Sequence, residues 1–157
     1  MNEQNTKYLY EHFPLLYKDN NVSMQYTACC WGFDFGDGWY EITKELSEKL
    51  EKEIQKFIDK NPDFKCHPCA FQMKEKFGFG RFYMTSQTEV MDKYIDEWKD
   101  KTCITCEECG KPGELCSDRG WYRTMCPDCV IESNKENNKI FGSPHHYIQC
   151  SKLSNED

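Results

Sequence analysis

Two closely spaced cysteine pairs constrain the fold of this 157-residue chain more than any other feature of its sequence. Cys106 and Cys109 form the first pair, Cys126 and Cys129 form the second, and the spacing is C-x2-C-x16-C-x2-C. Two tight turns at this spacing can present four thiolates to one tetrahedral ion, and zinc is the metal that such a set typically binds. A strand, GWYRTMC, leads back to the second pair, so the pattern predicts a zinc ribbon.

A neighbouring cysteine, Cys103, makes an alternative set of metal ligands possible. The segment CITCEEC holds two overlapping C-x2-C pairs, so Cys103 could replace Cys106 or Cys109. Gly110 favours Cys106 and Cys109, because the turn after a zinc-binding pair needs a positive φ that glycine adopts without strain. Four cysteine ligands leave no open position for a catalytic water, so the metal is expected to stabilise the fold. Cys116 lies between the pairs and is expected not to bind metal.

The first residues of the chain and its eleven cysteines indicate the cellular compartment in which the protein is expected. The opening MNEQNTKYLYEHF has polar residues where a signal peptide would need an apolar run, so a cytoplasmic location is expected. Thiols stay reduced there, and an odd number of cysteines cannot all pair, which favours metal ligands and free thiols over disulfides. With 30% charged residues and no long apolar segment, no association with a membrane is expected.

The net charge limits the classes of partner. The chain has 27 acidic against 20 basic residues and a formal net charge of -7. Three of the basic residues are arginines. Binding to duplex DNA depends on neutralising phosphates, so this composition weakens that hypothesis and favours a basic protein surface as the partner.

Three segments have the spacing of helices. Residues 39–60 carry an apolar stripe with Glu/Lys pairs on the other side, and Pro62 follows their end. The segment SQTE, residues 86–89, fits a capping box ahead of a second long helix that ends near residue 101. Residues 6–18 predict a short helix interrupted at Pro14.

The remaining pattern predicts the fold class. Residues 69–86 alternate apolar and polar side chains around Gly78 and Gly80, which indicates an antiparallel hairpin. The fold class is therefore α+β, with two long helices packed on an antiparallel hairpin or small sheet and a C-terminal zinc ribbon. The expected organisation is an α+β domain over 1–101, the zinc ribbon over 102–131 and a polar tail over 132–157, either partly disordered or docking late as an arm.

The segment CCWGFDFGDGWY, residues 29–40, allows two interpretations. Glycines ahead of a helix can cradle a phosphate, because free amides and the helix dipole attract anions. No Lys or Arg occurs between residues 19 and 43, so an anion would meet only acidic neighbours there. The favoured interpretation is a structural corner in which Asp37 caps the helix and the aromatic residues pack on the hairpin.

Four other cysteines raise further possibilities. The motif CHPC places Cys66 and Cys69 at the spacing of redox dithiols, but it follows a helix and precedes a strand, which disfavours that chemistry. One interpretation is a second metal site that joins them to Cys29 and Cys30. The simpler and favoured interpretation is that all four are free thiols. No Ser/His/Asp set, P-loop or H-E-x-x-H helix is present, so an enzyme is not expected.

Three blocks of sequence resemble a family of small uncharacterised proteins of bacteriophages and prophages. They are CWGFDFGDGWYEI (30–42), MKEKFGFGRFYM (73–84) and CEECGKPG with GWYRTMCPDC (within 106–129). The family pattern has a cysteine where this chain has Phe35 and a leucine where it has Gly80. The resemblance implies a phage-encoded protein that works in the cytoplasm of a bacterial host cell, and it brings no established activity with it.

The predicted mode of action is stoichiometric binding. An accessory protein that inhibits a bacterial defence system or a host enzyme would fit the resemblance and the absence of a catalytic set. The candidate partner-binding residues are Trp31, Asp34, Asp37, Trp39 and Glu41. Aromatic anchors beside carboxylates would suit a basic site on a host protein.

The alternative is a nucleotide or nucleic-acid binding protein. It would use the glycine and aromatic stretch 31–40 together with the zinc ribbon. Lys74, Lys76 and Arg81 are expected around the hairpin, where they would form one compact basic face on an acidic chain.

Overall fold

The computed structural model describes residues 1–141 and 146–153, and within them the chain is a mixed α+β structure with small sheets. The helices are α1 (Glu3–His12), α2 (Tyr40–Lys60), α3 (Glu89–Thr102) and α4 (Pro127–Phe141), followed by a final helical turn (Cys150–Leu153). The strands are β1 (Phe33–Asp34), β2 (Ala70–Lys76), β3 (Phe79–Met84), β4 (Glu114–Asp118), β5 (Trp121–Met125) and β6 (Ile148–Gln149). In these ranges no helix combines the length and the apolar character needed to span a bilayer.

The predicted hairpin is present and belongs to a three-stranded sheet with the order β1-β2-β3. Strands β2 and β3 are antiparallel, and the turn between them places Phe77 and Gly78 at φ 57° and 83°. Two positive φ values are typical of the type I′ turn, whose twist matches that of a hairpin. The short parallel strand β1, which pairs Phe33 with Met73, has no signature in the sequence.

Helices α2 and α3 cover one face of this sheet and enclose an aromatic core. Its buried residues include Tyr17, Phe33, Phe35, Trp39, Leu46, Leu50, Ile54, Met73, Phe82, Met91 and Trp98. Gly80 lies within β3 rather than in the turn. Glycine is needed there because a Cβ would overlap the Trp98 ring. The Gly80 amide donates to Thr102 Oγ1 at 2.9 Å, so α3 crosses the strand in close contact.

The predicted helix bounds are correct for α2 and need correction elsewhere. The first helix begins at Glu3 after an Asn2 cap and ends at His12, because Pro14 disfavours helical backbone at the residue before it. At α3 the cap is Thr88 rather than Ser86, since Thr88 Oγ1 accepts from the Met91 amide at 3.3 Å.

The described part of the predicted polar tail, from residue 132, includes regular secondary structure, and α4 crosses the predicted boundary between ribbon and tail. Helix α4 continues to Phe141, and β6 adds to the second sheet, whose order is β5-β4-β6. The Asn134 side chain bonds the backbone of Tyr147 twice, accepting from its amide at 2.7 Å and donating to its carbonyl at 3.2 Å. The alternative expectation, an arm that docks, describes Ile148–Gln149.

A carboxylate on α2 holds the turn after α1. Glu51 accepts the amides of Leu15 and Leu16 at 3.0 Å and 2.8 Å, so its two oxygens satisfy two partly buried donors. Hydrogen bonds to a charged acceptor are stronger than neutral ones.

We expect Glu51→Gln to lower the free energy of unfolding by about 1–2 kcal/mol, because the amide group offers one acceptor where the carboxylate offers two. The exposed Glu48 on the same helix is the matched control, and Glu48→Gln should change stability by less than about 0.5 kcal/mol. Urea unfolding of both variants measures the difference. Equal stabilities would show that the carboxylate does not hold the turn.

Candidate metal centre

Four cysteines meet at one point between the second sheet and α4. The sulfurs of Cys106, Cys109, Cys126 and Cys129 all lie within 4.8 Å of one another, and the Cys109 and Cys126 sulfurs are 3.6 Å apart. Zinc bound tetrahedrally to sulfur at about 2.3 Å separates its ligands by about 3.8 Å. The group could therefore hold a zinc-like ion with little adjustment, and no other such group occurs within residues 1–141 and 146–153.

The first pair sits in a closed backbone turn. The Cys106 amide donates to the Lys111 carbonyl at 2.8 Å, and the Gly110 amide donates back to the Cys106 carbonyl at 2.9 Å. Gly110 has φ 77°, the conformation that its position after the pair predicts. A bridge between Thr105 and Pro112 closes the base of this turn. We call residues 105–112 the first knuckle.

The second pair sits at the start of α4. Pro127, between the two cysteines, occupies the first helical position, where its missing N–H costs nothing. The Val130 amide donates to the Cys126 carbonyl at 3.0 Å. Cys126 thus precedes the helix, and Cys129 lies in its first turn, where the helix dipole favours thiolates. The proline between the cysteines is the one sequence signal for this helix start.

Neighbouring thiols shift the pKa values of Cys126 and Cys129 in opposite directions. Burial acts to raise the pKa of Cys126, but hydrogen bonds from the Cys129 amide and from neighbouring thiols outweigh it, so this pKa lies below its usual value. Burial and the same neighbours raise the pKa of Cys129. Cys126 therefore loses its proton more readily than Cys129.

The other two cysteines of this region lie outside the group. Cys103 ends α3, and its sulfur donates to the Lys99 carbonyl at 3.3 Å, so the alternative ligand set with Cys103 does not form. Cys116 is buried on β4, where burial raises its pKa to about 11. Its sulfur donates to the Glu114 carbonyl at 3.3 Å.

The glycine-rich turn of residues 36–38 closes against the first knuckle, and we call it the glycine clasp. The Gly38 amide donates to the Glu107 carbonyl at 2.8 Å, and the Gly36 amide donates to Glu107 Oε1 at 3.1 Å. A Cβ on Gly38 would overlap the Cys106 carbonyl oxygen, so the two backbones touch. Trp39 then donates its indole N–H to the Thr105 carbonyl at 2.8 Å.

Glu107, inside the first cysteine pair, links three parts of the molecule. Its side chain is 6% exposed and holds the clasp through one oxygen and Arg123 Nε through the other, at 3.2 Å. Arg123 also pairs with Glu108. Burial opposes the charge on Arg123, but the two carboxylates outweigh burial and raise its pKa.

The second sheet is also fixed to the turn of the β2–β3 hairpin. Thr124 Oγ1 on β5 donates to the Gly78 carbonyl at 2.7 Å, and a Cβ on Gly78 would overlap the Leu115 side chain. Together with the glycine clasp, this contact joins the second sheet to the aromatic core.

The structure corrects part of the predicted partner-binding surface. Trp39 is completely buried and bonded to Thr105, so it cannot anchor a partner. Asp37 does not cap α2 but accepts the Asn2 amide at 2.8 Å and the Asn5 side chain at 3.1 Å. Burial acts against the charged form of Asp37, yet these bonds outweigh it and lower its pKa. The remaining predicted residues, Trp31, Asp34 and Glu41, are exposed.

The glycine clasp is not an anion cradle. The amides of Gly36 and Gly38 are the donors that a phosphate would need, and both donate to Glu107 instead. The structural interpretation is correct for the buried Phe33, Phe35 and Trp39. It is not correct for Asp37, which does not cap α2, or for Trp31, which is exposed.

A second metal site does not form in the described part of the chain from Cys29, Cys30, Cys66 and Cys69. Cys69 donates to Asp19 Oδ2 at 3.3 Å, and Cys30 donates to the Thr27 carbonyl at 3.3 Å. Cys66 is exposed. Cys29 is buried, and burial together with Cys69 and Asp19 raises its pKa to about 12.

We expect Gly38→Ala to loosen the metal site, because the added methyl group must displace the backbone of the first knuckle. Stability should fall by about 1–3 kcal/mol, and zinc should transfer faster to a colorimetric chelator. The control is Gly120→Ala, since a Cβ there meets nothing within 4 Å and the φ of 88° alone costs about 1 kcal/mol. Identical transfer rates in both variants would contradict the proposed role of the clasp.

We also expect the thiols to react in a fixed order at pH 8. Cys66 should be modified first because it is exposed, whereas Cys29, with a pKa near 12, carries almost no thiolate at that pH. Timed alkylation of the zinc-loaded protein, followed by peptide mass mapping, gives the order. Labelling of Cys29 as fast as Cys66 would rule out the buried, protonated state.

Comparisons with protein-family models, with curated proteins and with solved structures find no match to this chain. The thiol group and the described surface are therefore the basis on which its function is inferred.

Proposed function

We propose that this chain is a zinc-binding protein in which the metal is structural. The observation that carries the proposal is the convergence of four cysteine sulfurs within 4.8 Å, since four thiolates saturate a tetrahedral ion. Every ligand position is then filled by the protein, and no site is left for a substrate or a water. The contribution of the metal is to tie the first knuckle to the start of α4, and through Glu107 to the glycine clasp.

We further propose that the protein acts by stoichiometric binding to a macromolecule, without turnover. The support is the combination of a saturated metal set with aromatic side chains that the fold leaves exposed. Trp31, Trp121 and Phe77 are 64%, 72% and 60% exposed, and such side chains are natural binding anchors. From the resemblance to phage proteins we propose that the macromolecule is a component of the bacterial host and that the effect is inhibition of a defence system or host enzyme.

The zinc proposal predicts one zinc per chain, lost in a Cys126→Ser/Cys129→Ser variant and retained in Cys103→Ser. Removing two of four ligands should also lower the melting temperature, because binding free energy is folding free energy at such a site. Metal analysis of proteins purified side by side measures the zinc content. One zinc per chain in the double variant would refute the assignment. Loss of zinc in Cys103→Ser would favour the alternative ligand set, in which Cys103 replaces Cys106 or Cys109.

A pull-down from bacterial lysate tests the binding proposal. The zinc-loaded protein should retain a macromolecule near one equivalent, whereas the metal-free double variant should not. Quantifying both protein and nucleic acid in the eluate identifies the class of partner. An effect on the retained target at far below one equivalent would mean turnover and would contradict the proposal.

A further inference from the structure

One face of the first sheet is basic, although the chain as a whole is acidic. Lys74 on β2 lies directly opposite Arg81 on β3, and Lys76 lies opposite Phe79. Side chains alternate between the faces of a strand, and the intervening residues, such as Phe82, are buried under α2 and α3. Lys74, Lys76 and Arg81 therefore share the face that the helices leave open.

These three cations have no ion-pair partner within residues 1–141 and 146–153. Every salt bridge found there involves other residues, while directly opposite strand positions place Lys74 and Arg81 about 5 Å apart at Cβ. Like charges at such a distance repel each other, and a polyanion would relieve this repulsion. Asp34, opposite Lys74 on β1, is the acidic residue at the border of this face.

Aromatic rings accompany the cations. Tyr83 is 44% exposed on β3, and the Lys74 amine lies 5.9 Å from its ring centroid. The Lys76 amine lies 5.3 Å from the ring of Phe77 at the hairpin turn. We call Lys74, Lys76, Arg81 and Tyr83 the basic face.

The basic face continues into a cleft between two hairpin tips. The tip of the β4–β5 hairpin brings Trp121 and Tyr122 beside Phe77, around a cleft of about 270 Å³ that Lys76 also lines. The bond from Thr124 to the Gly78 carbonyl holds the two tips together. The cleft thus presents three exposed rings in a fixed arrangement next to unpaired positive charge. We call Phe77, Trp121 and Tyr122 the tip cleft.

We propose that the basic face and the tip cleft bind single-stranded nucleic acid, with phosphates on the cations and unpaired bases stacked on the rings. This names the partner class of the binding protein proposed above and rests on that proposal. Stacking on exposed rings requires unpaired bases, which a duplex hides. An acidic peptide could use the cations, but its carboxylates would gain nothing from the rings of the tip cleft.

The net charge of -7 does not argue against this assignment. At physiological ionic strength charges separated by more than about 8 Å are largely screened, so a phosphate responds to the local face rather than to the whole molecule. Two carboxylates lie beside the face, Asp34 next to Lys74 and Glu75 next to Lys76 in the cleft. Three cations against these two carboxylates leave the face with one net positive charge.

Binding is measured by fluorescence anisotropy of labelled ten-nucleotide probes, dT10 and rU10, with a ten-pair DNA duplex as comparator. We expect both single strands to bind the zinc-loaded protein more tightly than the duplex. The ratio of the two affinities shows whether DNA or RNA is preferred. With three phosphates contacted, the slope of log K against log salt should be about -2.

The charge variant Lys74→Glu/Lys76→Glu/Arg81→Glu should lose at least about tenfold in affinity and should flatten the salt slope. A control with the same change of net charge is Lys52→Glu/Lys60→Glu/Lys93→Glu, at exposed helix positions, and it should bind like the native protein. Loss of binding in the control alone, or equally in both variants, would overturn the proposal.

The ring variant Trp121→Ala should weaken binding about tenfold with little change of the salt slope, because stacking carries no counterion release. Phe64→Ala is its control, since Phe64 is 63% exposed and follows α2. Equal affinities of Trp121→Ala and the native protein would remove the tip cleft from the site.

Three further outcomes would overturn the proposal: no anisotropy change for either strand, tighter binding of the duplex, or equal competition by a ten-residue glutamate peptide. The last result would assign the face to an acidic protein. Zinc content and melting temperature are measured on the same samples. A native protein with one zinc that binds neither strand refutes this inference alone, whereas a native protein without zinc refutes the structural-metal proposal.

Discussion

The hydrogen bonds between Glu107 and the glycine clasp are the contacts on which the rest of the structure depends. Glu107 stands between two cysteines, so its backbone is fixed by the first knuckle, while its side chain reaches Gly36 and Arg123. A metal ion bound by the four cysteines would therefore also order the entry to α2. Burial of Trp39 follows from the same contact, because its indole donates to Thr105 within the knuckle. These hydrogen bonds join the aromatic core to the first knuckle.

The sequence predicts those features whose signal is local. The four cysteines, the hairpin and α2 each have a spacing or turn residue that fixes them. The partner of the glycine clasp could not be predicted, since Gly36 and Glu107 are 71 residues apart and neither has a pattern that names the other. Trp39 shows the limit most clearly, because the same residue type serves as a surface anchor or a core side chain, and only tertiary contact decides between them.

The net charge of the chain likewise does not reveal how charge is distributed over its surface. A net charge of -7 describes the whole chain, yet strand alternation places Lys74 and Arg81 side by side on one open face. Their proximity follows from register, which a residue count does not contain. The exposed rings of Phe77 and Trp121 are brought together in the same way, by the contact of two hairpin tips that are distant in sequence.

The order in which the chain is synthesised gives the glycine clasp a further meaning. Residues 36–38 leave the ribosome before Glu107 and the last cysteine, so a nascent chain has the glycine clasp but lacks the backbone against which it closes. In such a chain the indole N–H of Trp39 lacks its acceptor, the Thr105 carbonyl. The contacts between Trp39 and the first knuckle can therefore form only after residues 105–112 have been synthesised. Zinc binding at the four cysteines would add a requirement for metal to this last folding step. Chains that lack zinc would then be exposed for longer to chaperones and proteases.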